Sequence, residues 1–345
     1  YNLMTKQISI GYVPDVFGGN RRQVESLKAQ AQAQKYQTEA LRLTIASNVV
    51  AALIQEASLK KQLALAERYV STARQALQHL QEMFDIGYAS QIDLGNQEIA
   101  LSQSIQAVAQ VKKSLDQTRD LIAVLCGKFP SEIVNSLDLI ELKVPAIPNA
   151  LPSRLVEQRP DVLAAEELAR AANAQIGSAL ANMLPQFLIS ASSGGAAGVL
   201  NQTLASGNRF WNLNESISQP LFDGGTLYAR KKAAEAGTDV AMAQYQSTVL
   251  IAFQNVADTL YAYANDMATY QQSERIEISS RKIFNATEAQ FATGYASSLG
   301  LLTAEQGYLQ ADAVRYQNMA IYLGDVVSLF QALGGGWQSD QSTNK

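Results

Sequence analysis

Very little in this chain can carry covalent chemistry. Its 345 residues hold one cysteine, Cys126, and one histidine, His79. A single cysteine cannot close an internal disulfide, and no cysteine and histidine cluster has metal-ligand spacing. His79 stands among Gln78, Leu80 and Gln81 with no serine or cysteine beside it, which reads as a solvated or packing residue of a helix. Neither an enzyme nor a bound cofactor or metal is expected.

Positive charge is scarce too. With 27 Lys and Arg against 31 Asp and Glu, the formal charge is -4. Without a local basic excess there is no footprint for a phosphate backbone, so no nucleic-acid partner is expected. Long apolar runs are also absent: the longest are Val49 to Ile54 and Leu121 to Cys126, far short of the roughly 18 residues a spanning helix needs. A membrane role would therefore require β-strands. The opening Tyr1-Asn2-Leu3-Met4 lacks the charged region and apolar core of a signal peptide.

What the chain does have is alanine and glutamine, 51 and 34 residues respectively. Small contact residues and uncharged polar faces in that proportion predict long helices. The eight prolines set their limits, because a proline inside a helix removes a hydrogen bond and costs about 3 kcal/mol. None lies between Asp15 and Phe129 or after Pro220, and each of these stretches is interrupted once by Gly-Tyr-Ala-Ser. Two helical hairpins follow, with Gly87, Tyr88, Ala89 and Ser90 at one turn and Gly294, Tyr295, Ala296 and Ser297 at the other.

The two hairpins look alike. Phe84-Asp85-Ile86-Gly87-Tyr88-Ala89-Ser90 matches Phe291-Ala292-Thr293-Gly294-Tyr295-Ala296-Ser297, and Pro14, Gly18 and Gly19 match Pro220, Gly224 and Gly225 at nearly the same offset. The pattern predicts a tandem duplication of one large unit. In the first copy Leu63, Val70, Leu77 and Phe84 recur every seven residues, with Ala66, Ala73 and Leu80 between them, as in a coiled-coil seam. A helix from Asn20 to Asp85 would be roughly 100 Å long, more than an ordinary globular domain contains. The return helix covers about half of that, and a helix opened by Pro160 supplies much of the rest.

Strand signals occur at the other end of each hairpin. Leu3 to Val13, Pro185 to Ser193 and Arg209 to Gln219 are β-rich and bounded by Gly, Asn and Pro, with apolar residues alternating in Met4, Ile8, Ile10, Tyr12 and in Trp211, Leu213, Ile217. Each has about the length of a tilted strand crossing a bilayer. A small soluble β-layer capping the helices is the plain alternative. The duplication also predicts that the counterparts of Pro160 to Ser206, about 50 residues with one further strand, precede Tyr1.

The expected organisation is a first repeat over 1–127, with a strand at 1–13, a long helix at 20–85, a tip at 86–90 and a short helix at 91–126. An equatorial linker covers 128–156. A second repeat over 157–335 holds a helix at 160–183, strands at 185–193 and 209–219, a long helix at 225–292, a tip at 293–297 and a short helix at 298–333. A tail runs over 336–345.

Gln158-Arg159-Pro160-Asp161-Val162, Ala174-Gln175-Ile176-Gly177, Leu184-Pro185 and Gln219-Pro220-Leu221-Phe222-Asp223-Gly224-Gly225 resemble the outer membrane factors of the TolC and NodT type, most closely their efflux lipoprotein branch. The resemblance covers nearly the whole chain. It implies a mainly α fold with a small β part: antiparallel helical hairpins in a trimeric α-barrel, continued by a shared 12-stranded transmembrane β-barrel in the Gram-negative outer membrane. It also implies an exit duct that passively conducts multidrug-efflux cargo, serving a periplasmic adaptor and an inner-membrane pump of the resistance-nodulation-division type, with outer-membrane lipid around the barrel. A duct for type I polypeptide secretion and a periplasmic coiled-coil adaptor are the alternatives, the adaptor disfavoured because it carries only one hairpin.

As the free ends of such a tube, the two tips, Gly87 to Ser90 and Gly294 to Ser297, are expected to dock the adaptor, with a plain turn as the alternative, and by the same resemblance a periplasmic gate surrounds Asp93, Leu299, Thr303 and Glu305. Similar proteins carry an aspartate where this chain has Thr303. Asp93, in the matching helix of the first hairpin, takes an acidic position that such proteins also use, and Glu305 lies close by. A solvated helix residue is the plain alternative for either carboxylate.

Overall fold

In the computed structural model, residues 3–130 and 158–335 are described. Nearly all of the expected linker at 128–156 and the whole tail at 336–345 lie outside them.

Helices dominate because long proline-free stretches meet strong helix formers. The chain runs β1 (Met4–Tyr12), α1 (Gly19–Asp85), α2 (Gln91–Leu125), α3 (Pro160–Ala181), β2 (Gln186–Ala197), β3 (Arg209–Ser218), α4 (Thr226–Ala292) and α5 (Ser298–Ala332). α1 and α4 each have 67 residues, and α2 and α5 each have 35. At 1.5 Å per residue, 67 residues make about 100 Å of helix.

Two compact units divide the chain. The first comprises 1–39 and 160–250, the second 40–159 and 251–345.

In the first unit, β1, β2 and β3 form one antiparallel sheet in that order. Lys6 pairs with Gly195 and Gly195 with Arg209; Tyr12 pairs with Ile189 and Ile189 with Glu215. This register puts Ile8, Ile10, Ala191, Trp211, Leu213 and Ile217 on one face, while Gln7, Ser9, Ser190, Ser192, Asn212 and Asn214 take the other. A soluble layer would bury the apolar face against its own helices. Here Ile8 is 74% exposed, Trp211 78% and Ile217 69%. Among the described residues the sheet also carries two open edges, at β1 and β3.

Two helices of this unit, α1 and α4, start on carboxylate caps. Asp15 accepts from the Asn20 and Arg21 N–H groups at 3.0 and 2.9 Å, and Asp223 accepts from the Leu227 N–H at 2.7 Å. α3 buries an alanine face, including Ala164, Ala171 and Ala174, and its Gly177 lies so close to α1 that an added Cβ would meet the Arg22 side chain.

Strand β2 departs from expectation. It continues through Gly194 and Gly195 to Ala197, where glycine content suggested a loop beginning after Ser193. These glycines mark close backbone approach. A Cβ at Gly194 would strike the Lys6 carbonyl, and one at Gly195 the Thr203 carbonyl. The connection to β3 is itself folded: Leu200–Gln202 is a 3-10 turn, Thr203 is buried, and the Asn208 amide donates to the Gln202 carbonyl at 2.9 Å.

In the second unit small residues let helices approach closely. Ile54 and Ala57 of α1 pack with Ala320 and Leu323 of α5, flanked by Tyr316, Met319 and Tyr322. The Ser58 hydroxyl, fully buried, donates to the Tyr316 carbonyl at 2.9 Å. Tyr322 stacks on Tyr270 of α4 with ring centroids 5.9 Å apart.

Candidate functional site

Both helical turns are built the same way. α1 ends at Asp85, and Gly87 takes a φ of +83°, which lets its N–H reach the Phe84 carbonyl and the Tyr88 N–H reach that of Met83. α4 ends at Ala292, and Gly294 takes a φ of +80°, with its N–H on the Phe291 carbonyl and the Tyr295 N–H on that of Gln290. A left-handed residue at this position satisfies the last helical carbonyls, and glycine adopts it without a Cβ penalty. Tyr88 and Tyr295 are left 80% and 88% exposed. No side chain of the described residues covers them, so the aromatic rings are free surface.

The helices that leave the turns are capped by serine. Ser90 accepts from the Asp93 N–H at 3.1 Å, and Asp93 accepts in return from the Ser90 N–H at 3.2 Å and the Ser90 hydroxyl at 2.6 Å. This is a complete capping box. The hydroxyl, followed by the N–H, holds the Asp93 carboxyl below the usual carboxylate range. In the second turn Ser297 accepts from the Gly300 N–H at 3.1 Å, and with glycine at the third position no side chain answers it. Asp93 therefore has a local structural task in addition to any role in a pore.

The candidate gate residues separate into two places on α5. Leu299 and Thr303 are four residues apart and line one groove against α4, together with Ser280, Thr287, Gly300 and Gly307. The Thr303 hydroxyl folds back onto the Leu299 carbonyl at 2.8 Å. Glu305, two residues on, is rotated about 200° around the helix and faces α1. There it is nearly buried, accepting from Arg68 at 2.5 Å and from the Thr72 hydroxyl at 3.0 Å. The open groove beside Thr303 thus has no charged lining residue, while the Glu305 charge is compensated inside the unit. Neither Arg68 nor Thr72 stands out in the sequence, since 237 residues separate Arg68 from its partner.

A second acidic contact is equally hidden in the sequence. Asp266 of α4 meets Asp325 of α5, whose Oδ2 is buried with no hydrogen-bond partner among the described residues. Burial first, and Asp266 second, push the Asp325 carboxyl up to about 6. The two lone reactive side chains are ordinary by comparison. His79 lies 3.5 Å from Glu82 at an exposed position, and Cys126 is exposed at the end of α2.

Long helices joined by exposed turns, together with a sheet whose apolar face is bare, have the build of a passive channel protein. The family model described as outer membrane efflux protein matches residues 1–128 and 151–335, and the chain belongs to that family. It is 27% identical to the pyoverdine export outer membrane protein OpmQ of Pseudomonas putida, over 97% of this chain and 71% of that one. It is 26% identical to the toluene efflux pump outer membrane protein TtgC of Pseudomonas putida, over 94% of this chain and 68% of the relative. Among solved structures the outer-membrane channel OprN superposes with a TM-score of 0.83 at 26% identity, covering 98% of this chain and 82% of that one.

Proposed function

We propose that three copies of this chain form the exit duct of a tripartite efflux pump, their strands closing one β-barrel in the outer membrane and their hairpins forming a tube below it. Closure at 12 strands, four per copy, is the count the family resemblance implies. One observation carries the reading: a three-stranded sheet that exposes an apolar face on one side and a Gln, Ser and Asn face on the other, with both edges unpaired among the described residues. In lipid an open edge leaves backbone groups without partners, so such a sheet is stable only when other copies complete it. The apolar face then meets acyl chains and the polar face lines the lumen.

The equal lengths of α1 and α4, and of α2 and α5, support two tandem repeats. On this reading the exposed turns around Tyr88 and Tyr295 dock the periplasmic adaptor. The gate lies near the tips, with Asp93 as its charged member, Leu299 and Thr303 as uncharged lining and Glu305 as an internally paired support. The relatives named for pyoverdine export and toluene efflux favour small organic cargo over polypeptide.

The test is assembly. Protein extracted from the outer membrane in mild detergent and cross-linked should run as a trimer, and the same protein recovered as a soluble monomer would overturn the proposal.

A further inference from the structure

Across the sheet region, Leu3 to Val13 and Met183 to Phe222, the sequence contains only two cations, Lys6 and Arg209. The fold brings them to one row: both pair with Gly195 of β2, on opposite sides. They are therefore two strand spacings, about 10 Å, apart and on the same face. That face is the apolar one, with Ile8 following Lys6 along β1 and Trp211 following Arg209 along β3.

The row lies at the end of the sheet away from the helices. β1 leads into α1 beyond Tyr12, β3 leads into α4 beyond Ser218, and β2 is entered from α3 at Gln186. The opposite end carries the folded loop at 198–208. The Leu204 carbonyl of this loop accepts from Arg209 Nε at 2.8 Å and so orients the guanidinium. The Lys6 ammonium and the terminal nitrogens of Arg209 have no partner among the described residues. Lys6, Ile8, Leu204, Arg209 and Trp211 line a single depression.

We propose that Lys6 and Arg209 form a binding site for the phosphate of a phosphorylated glycolipid in the outer leaflet of the outer membrane. Two cations at the outer rim of an apolar face, with an indole one row further in, match a lipid with an anionic headgroup at the interface and acyl chains below it. The guanidinium fits a phosphate with its two terminal nitrogens, and the chains lie along Ile8, Ile10 and Leu213. This inference rests on the reading of the sheet as part of a transmembrane barrel.

The protein purified from the outer membrane is reconstituted in phosphatidylcholine vesicles containing either bisphosphorylated lipid A or the same lipid with its phosphates removed. It is then re-extracted, and the bound glycolipid per protein is counted by mass spectrometry, with channel conductance measured on the same samples. Wild-type protein should retain the phosphorylated lipid, and Lys6→Gln and Arg209→Gln should each lower its affinity about fivefold, while Glu215→Gln, on the same face nearer the helices, changes nothing. Equal retention of both lipids, or of the phosphorylated lipid by wild type and the double variant, would overturn the site while conductance persists. Loss of insertion and conductance in the wild type itself would instead remove the barrel reading on which the site depends.

Discussion

At the scale of single residues, three carboxylates have been given different work by their surroundings. Asp93 is exposed and closes a capping box, Glu305 is neutralised by Arg68, and Asp325 is pressed against another aspartate. Of these three, on the proposed gate reading, only Asp93 presents charge near a tip without a cation beside it. Asp93→Asn should lower the cation selectivity of the channel in planar bilayers, whereas Glu305→Gln should leave selectivity unchanged; the reverse pattern would transfer the gate to Glu305. Asp325 makes stability depend on pH in the opposite sense from an ordinary ion-paired acid. Its folded-state pKa is raised to about 6 from 3.8, so its contribution is fully present below about pH 4 and is lost as pH rises through about 6. Of the other titratable groups on the packed helices, Tyr263 and Tyr270 lie beside Asp266 in α4 and Tyr322 lies beside Asp325 in α5, while α1 has no titratable residue between Arg42 and Glu56. Asp325→Asn should therefore raise the thermal midpoint at pH 7.5 by a few degrees and leave it unchanged at pH 4. A shift of equal size at both pH values would show that ionisation of the buried Asp325 carboxyl is not the cause.

At the scale of elements, the turns and the helices were far more legible in the sequence than the packing around them. A proline-free stretch rich in alanine can only be long helix, and Gly-Tyr-Ala-Ser combines the left-handed glycine of a helix end with the serine cap of the next helix, so both signals are local. The end of β2 was not legible, because Gly194-Gly195-Ala196-Ala197 has loop-like composition and its strand character comes from Lys6, nearly 190 residues away in sequence. For the same reason the Arg68–Glu305 and Asp266–Asp325 contacts leave no pattern along the chain. Register, in contrast, was partly readable, since the alternation Ile8, Ile10, Tyr12 and Trp211, Leu213 already names the apolar face. The turns also carry the element-scale prediction. Ala89→Arg and Ala296→Arg place a bulky charge beside the exposed tyrosines without touching a cap or a buried contact. Together they should abolish drug tolerance in a cell depending on this pump while the level of the proposed trimer stays normal. Unchanged tolerance would rule out docking at the tips.

At the scale of the whole molecule, the chain leaves large apolar side chains uncovered along the sheet and along the long helices, among them Trp211, Leu250 and Tyr261. The lone chain therefore cannot be the working unit in water, since so much bare apolar surface marks contact with lipid or with further protein. On the proposed reading the chain is a passive duct, and the energy for transport comes from the inner-membrane pump. The direct test is single-channel recording on the protein purified from the outer membrane and added to a planar lipid bilayer. A passive duct gives stepwise, ohmic conductance that needs no nucleotide and prefers cations. A protein that inserts no channels, or one whose conductance requires an energy source, would contradict it.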